Sequence, residues 1–227
     1  MLDRDKIQAQ FESSIDHNVG AYNDLLKAID KKTNEDFLHG MIASQLAFTL
    51  LSIWEAYLSD VIIAYVAKSP KKMMESIKER VEKSLKDKFG SEIAKSTALT
   101  FSHELSQNSI MGIIDPKGVN ISRAEPRDFT NLANEFLTGH HARKFTFNQK
   151  DREFYIFLKK LRNYLAHGSV ASREELNKVV ASLAHADNAV FKCAIGRIGS
   201  YLKSPCSATS RVVVVSDRLK IFSRQLI

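Results

Sequence analysis

Cysteine is scarce in this chain: 227 residues carry only Cys193 and Cys206. Neither lies in a C-x-x-C pair or beside a histidine cluster, so neither a disulfide framework nor a cysteine-based metal site is indicated. There are only 4 Pro and 9 Gly, so turns are few and long helices are favoured. No Gly-rich phosphate loop, internal repeat or low-complexity stretch is present. Residues 1–10 are polar and charged, unlike a secretory leader. The most apolar stretch, from Leu46 to Val66, is interrupted by Ser52, Glu55, Ser59 and Asp60. Burying Glu55 and Asp60 in lipid is costly, so this stretch reads as a central core helix rather than a membrane span.

What is present is a 44% hydrophobic, 26% charged composition typical of a globular protein. Lys and Arg outnumber Asp and Glu by 33 to 26, giving a net charge of +7. A basic surface fits a polyanion partner, without distinguishing RNA from DNA, and equally an ordinary solvated exterior. A cytoplasmic location is expected.

The periodicity is helical. Residues 3–30 place Ile7, Phe11, Ile15 and Tyr22 on one face. Asn34 is positioned to cap a second helix that runs to Lys68 and stops at Ser69-Pro70. Residues 71–89, strongly basic, and 91–108 form two more expected helices, parted by Phe89-Gly90. Residues 109–127, with Gly112, Pro116, Gly118 and Pro126, read as a long loop, followed by a short helix over 127–138 and an extended Arg143–Phe147. An amphipathic helix covers 149–166, and Ser172-Arg-Glu-Glu175 fits a capping box opening a helix that runs to Leu202. Arg211-Val-Val-Val-Val215 favours a strand. The expectation is an all-α bundle over 1–203 with a loop-rich insertion at 109–147, and a C-terminal extension over 204–227 with a short strand.

Chemistry concentrates in Arg162-Asn163-Tyr164-Leu165-Ala166-His167-Gly168. Gly168 suits the left-handed turn just past a helix. Asn163 and His167 share a helical face, whereas Arg162 and His167 stand about 140° apart. They can reach one ligand if the last turn frays or if the ligand enters a cleft between helices. A His can move protons near neutral pH, an Arg can hold phosphoryl oxygens with paired donors, and Asn163 can orient either. These are the groups that RNA cleavage by its own 2′-OH requires. The plainer reading pairs Arg162 with Glu55 or Glu175 and lets His167 merely end the helix. Lys159, Lys160 and Arg152 precede the motif and are candidates for holding the RNA strand; lysines on the outer side of an amphipathic helix are also ordinary. His140-His141 lacks a third ligand for zinc, and His103 and Glu104 have no evident partners, so no metal or cofactor is expected.

Arg162-Asn163-x-x-x-His167-Gly168, ending one helix just before another, resembles the HEPN superfamily, and most nearly its RiboL-PSP-HEPN and related bacterial defence branches. Ile53-Trp54-Glu55-Ala56 on the long apolar helix and Gly118-Val-Asn-Ile-Ser122 ahead of the motif are similar too. The likeness is detailed over 148–203, moderate over 34–68 and thin elsewhere. It implies a helical bundle, a homodimer with a composite site, and metal-independent endoribonuclease activity with Arg162 and His167 catalytic and Asn163 assisting. A toxin or antiviral abortive-infection role, with a cognate antitoxin or defence-system partner, goes with that resemblance. Some relatives carry Tyr where this chain has Ser169, which argues against control by tyrosine modification. Competing readings are a non-catalytic RNA-binding or adaptor module and a nucleotide-sensing helical bundle.

Overall fold

The computed structural model describes residues 3–97, 106–114, 125–206 and 208–227. The described residues are 82% helical and 2% strand, a mostly all-α bundle as the periodicity predicts. His103, Glu104 and Gly118–Ser122 lie outside the described residues, as does part of the expected 91–108 helix.

Helix α1 (Arg4–Ile29) starts at Asp3, whose carboxylate accepts from the Asp5 N–H, and buries Ile7, Phe11, Ile15 and Tyr22. Helix α2 (Glu35–Lys68) is the long element. Asn34 holds its cap position without a side-chain bond; the Glu35 carboxylate instead accepts from the Lys31 N–H at 3.0 Å. By length and composition α2 is apolar enough to cross a membrane, but 61% of that apolar window is buried in the bundle.

Helix α3 (Lys71–Phe89) stops at Gly90, whose φ of 87° only glycine adopts readily, and α4 (Ser91–Ser96) follows. The expected loop over 109–127 begins inside α5 (Gln107–Ile114) and ends inside α6 (Pro126–Phe136), where Pro126 takes a first-turn position that needs no N–H donor. After α7 (Gly139–Ala142), residues Arg143–Phe145 form a 3₁₀ turn instead of an extended segment. The region is not loose: Phe129, Phe136, Phe145 and Phe147 are all buried.

Helix α8 (Gln149–His167) opens with the Asn148 side chain accepting from the Asp151 N–H at 2.9 Å. Helix α9 (Val170–Ser182) begins before the expected start: its cap is Ser169, which accepts from the Ser172 N–H, so Ser172 is not the capping residue. It also ends early. A 3₁₀ turn at Ala186–Phe191 and α10 (Ile198–Lys203) replace one helix to Leu202. The Asn177 amide explains part of the break, because it bonds both the N–H and the carbonyl of Ile195 and pins the connecting loop.

The valine run does not form a strand. Two-residue strands at Pro205–Cys206 and Thr209–Ser210 pair antiparallel, then α11 (Arg211–Arg224) takes Arg211–Val215 as its first turns. Four β-branched residues cost a helix roughly 2 kcal/mol in all. Helical spacing, however, buries Val212, Val215, Leu219 and Phe222 together, and each large side chain returns about 1.5–3 kcal/mol. The tail is therefore core, not an appendage. Phe222 lies 5.2 Å from Trp54, 5.2 Å from Phe147 and 6.1 Å from Phe154, tying α11 to α2 and α8.

Candidate active site

Two helices make the site. Helix α2 presents Trp54 and Glu55 to α8, and the last turns of α8 present Lys159, Arg162, Asn163 and His167; all six border one cavity of about 270 Å³. Leu51, Tyr155 and Leu158 form its apolar base. Gly168 ends α8 in the left-handed region at φ 60°, its N–H donating to the Tyr164 carbonyl at 2.8 Å. A side chain there would be strained, so the glycine fixes both the helix stop and the position of the preceding His167.

The predicted trio is thus brought together, and by the cleft rather than by fraying: α8 stays helical through His167. His167 is exposed at the cavity mouth, at the negative pole of the helix, while Arg162 and Asn163 are half-buried. Arg162 Nε lies 3.2 Å from Glu55 Oε1, with the two side chains 20% and 15% exposed. The approach is off the N–H direction, so Nε forms an ion pair without a hydrogen bond. The Arg162 guanidinium also sits 5.9 Å from the Phe48 ring. Of the two carboxylates considered, Glu55 is the partner; Glu175 instead takes Lys178 and Lys160, which hold its carboxyl below the usual range. Burial pushes the Tyr155 phenol up, helped by the negative charges of Glu55 and Glu125.

The strand-holding candidates separate. Lys159 borders the cavity and pairs with Glu125 at 2.7 Å. Lys160 bonds Glu175 at 3.3 Å and does not border it. Arg152 is exposed and lines a second cavity of about 400 Å³ with Glu125, Pro126, Arg127 and Ile156. The Glu125–Lys159 pair stands between the two cavities. Arg127 is a basic residue that sequence reasoning overlooked, because its approach to Arg152 depends on how α6 crosses α8.

His140 and His141 pack edge to face at 5.3 Å, and His141 packs at a tilt against Tyr65 at 4.9 Å. Burial and then the nearby Arg4 depress the His141 pKa. Among the described residues no three His, Cys, Asp or Glu side chains are grouped as metal ligands. Comparison with protein-family models, with curated proteins and with solved structures finds no match.

Proposed function

We propose that the protein is a metal-independent endoribonuclease of HEPN type that works as a homodimer, in the manner of a toxin or antiviral abortive-infection effector. The observation that carries this reading is the shared cleft: Arg162, Asn163 and His167 open on one cavity beside Lys159. In the reaction, the ribose 2′-O–H gives its proton to a base as the 2′ oxygen attacks the adjacent phosphorus. The phosphorus–5′-oxygen bond breaks, and the leaving oxygen takes a proton. The products are a 2′,3′-cyclic phosphate and a 5′-hydroxyl. His167 moves the protons, Arg162 neutralises the charge of the five-coordinate phosphorane, and Asn163 orients them.

One chain supplies one His and one Arg, whereas the reaction needs a base, an acid and charge neutralisation. A two-fold pair supplies both motifs from a single gene product. The Arg162–Glu55 ion pair supports a second reading, in which Arg162 is structural and the bundle is a non-catalytic RNA-binding or adaptor module. Labelled single-stranded RNA incubated with the purified protein in EDTA separates them. Cleavage to cyclic or 3′-phosphate ends, absent when the cut site is 2′-deoxy, supports catalysis. Intact RNA, 3′-hydroxyl ends or strict magnesium dependence sinks it. Expression should slow growth, and His167→Ala should relieve the slowing.

A further inference from the structure

Helix α2 is apolar on all sides, yet a single chain does not cover all of it. Phe37, Met41, Gln45, Phe48, Ser52 and Glu55 fall within about 80° of arc at 100° per residue. Phe37 is 69% and Met41 52% exposed, and Gln45 and Ser52 are exposed too. This stripe carries no charge until it reaches Glu55, the partner of Arg162. Beside it, a groove of about 970 Å³ is walled by Tyr164, Leu165 and Ala166 of the motif helix and by Ile198 of α10. Asp36 at the rim is held by Lys203. An apolar helix face left open in this way is the mark of an interaction surface.

We propose that a second copy of this chain covers the Phe37–Ser52 face of α2, and that this face is the seam of the homodimer. The choice of occupant rests on the RNA-cleavage reading above, because that chemistry leaves one chain short of catalytic groups and the stripe ends at Glu55, beside Arg162. Continuity decides the location. The residues that must approach their two-fold mates, Arg162 and His167, share α8 with Tyr164, Leu165 and Ala166 of the groove wall. Size agrees as well. Sixteen residues of helix give a face about 24 Å long, and two neighbouring helices give roughly 20 Å of width, the same order as the ~800 Å² per partner of an ordinary stable interface. The absence of charge along the stripe disfavours RNA as its occupant and suits a self-complementary contact.

The test is mass in solution by light scattering and sedimentation over a range of concentrations. The wild type should run at twice its 25.6 kDa chain mass. Phe37→Glu should raise the dimer dissociation constant ~30-fold or more, because it puts a charge in place of the most exposed aromatic ring of the face. An acidic residue in the first turn of α2 suits the helix, so circular dichroism should be unchanged. Met41→Glu, one turn on, provides a second probe. Ile221→Glu, at an exposed apolar position on α11, should leave the dimer intact. A wild type that stays monomeric, or dimers that survive both α2 substitutions, overturns the seam and leaves the face to another protein or a lipid surface. RNA cleavage by a monomer defeats the seam but not the chemistry. A dimer through this face that leaves RNA intact defeats the chemistry but not the seam.

Discussion

Glu55→Ala tests the electrostatic arrangement of the site most directly. The residue stands 3.2 Å from Arg162 Nε, with both side chains more than three-quarters buried. At an effective dielectric of about 20 the Coulomb attraction is ~5 kcal/mol before desolvation is counted. Removing the two groups from water and fixing their rotamers offsets most of that. Exposed pairs retain ~0.2–1 kcal/mol, whereas breaking a fully buried pair costs about 3–5 kcal/mol. An off-axis pair at this depth belongs between them, at about 2 kcal/mol for Glu55→Ala, because Arg162 then keeps a largely buried charge without its carboxylate partner, beside the Phe48 ring. For a chain of this size that lowers Tm by roughly 4–8 °C. A double-mutant cycle with Arg162→Ala, read by thermal melting, isolates the coupling, expected at ~1–2 kcal/mol. Additivity within ~0.3 kcal/mol would show that the two charges do not support each other, and the account of Arg162 as held by Glu55 would be wrong.

Four further substitutions have expected outcomes. His167→Ala should lower RNA cleavage by about 10²–10⁴-fold while leaving Tm nearly unchanged, since the side chain is exposed; full activity in a nuclease-free assay would remove it from the mechanism. Gly199→Ala should destabilise by about 1–3 kcal/mol, because its Cβ would stand 2.5 Å from the Gly40 carbonyl oxygen and backbone must move. Gly40→Ala should cost less, its Cβ meeting Gly199 at 3.3 Å; the reverse order in thermal melts would contradict the helix packing. Glu12 is held below the ordinary 4.5 by the Arg224 guanidinium, with Gln8 and Lys220 assisting against burial. Its stabilisation is therefore full above about pH 4.5 and is lost as pH falls through the lowered value. Glu12→Gln should accordingly reduce Tm at neutral pH, and the difference should shrink as the pH falls through the lowered value.

How much was legible follows from how local each determinant is. The extent of α2 could be read from its apolar run and Ser69-Pro70, and the end of α8 from Gly168, because these signals lie within a turn or two of what they specify. The Arg162–Asn163–His167 grouping was legible for the same reason, and even the Glu55 partner was one of two named. Ser172 misled because Ser169 offers the same hydroxyl a turn earlier, directly after the glycine stop. The break after Ser182 comes from Asn177 reaching Ile195 and from Asn188 bonding the Lys150 carbonyl and Glu153, contacts that no local pattern encodes. The valines at 212–215 were misread because β-branching is a weak local preference, and the Phe222–Trp54 contact that overrides it spans most of the chain. The Glu125–Lys159 pair, 34 residues apart, was hidden likewise.

The place of Phe222 also sets a schedule for synthesis. Helix α2 is complete at Lys68, but the ring that packs on Trp54 is not made until 154 residues later. At about 5–20 residues per second the ribosome takes roughly 8–30 s to cover that distance. For that interval the apolar middle of α2 has no α11 to lie against. The same delay keeps Trp54 from its final aromatic packing, and the wall of the cavity that it lines is finished only once α11 is made.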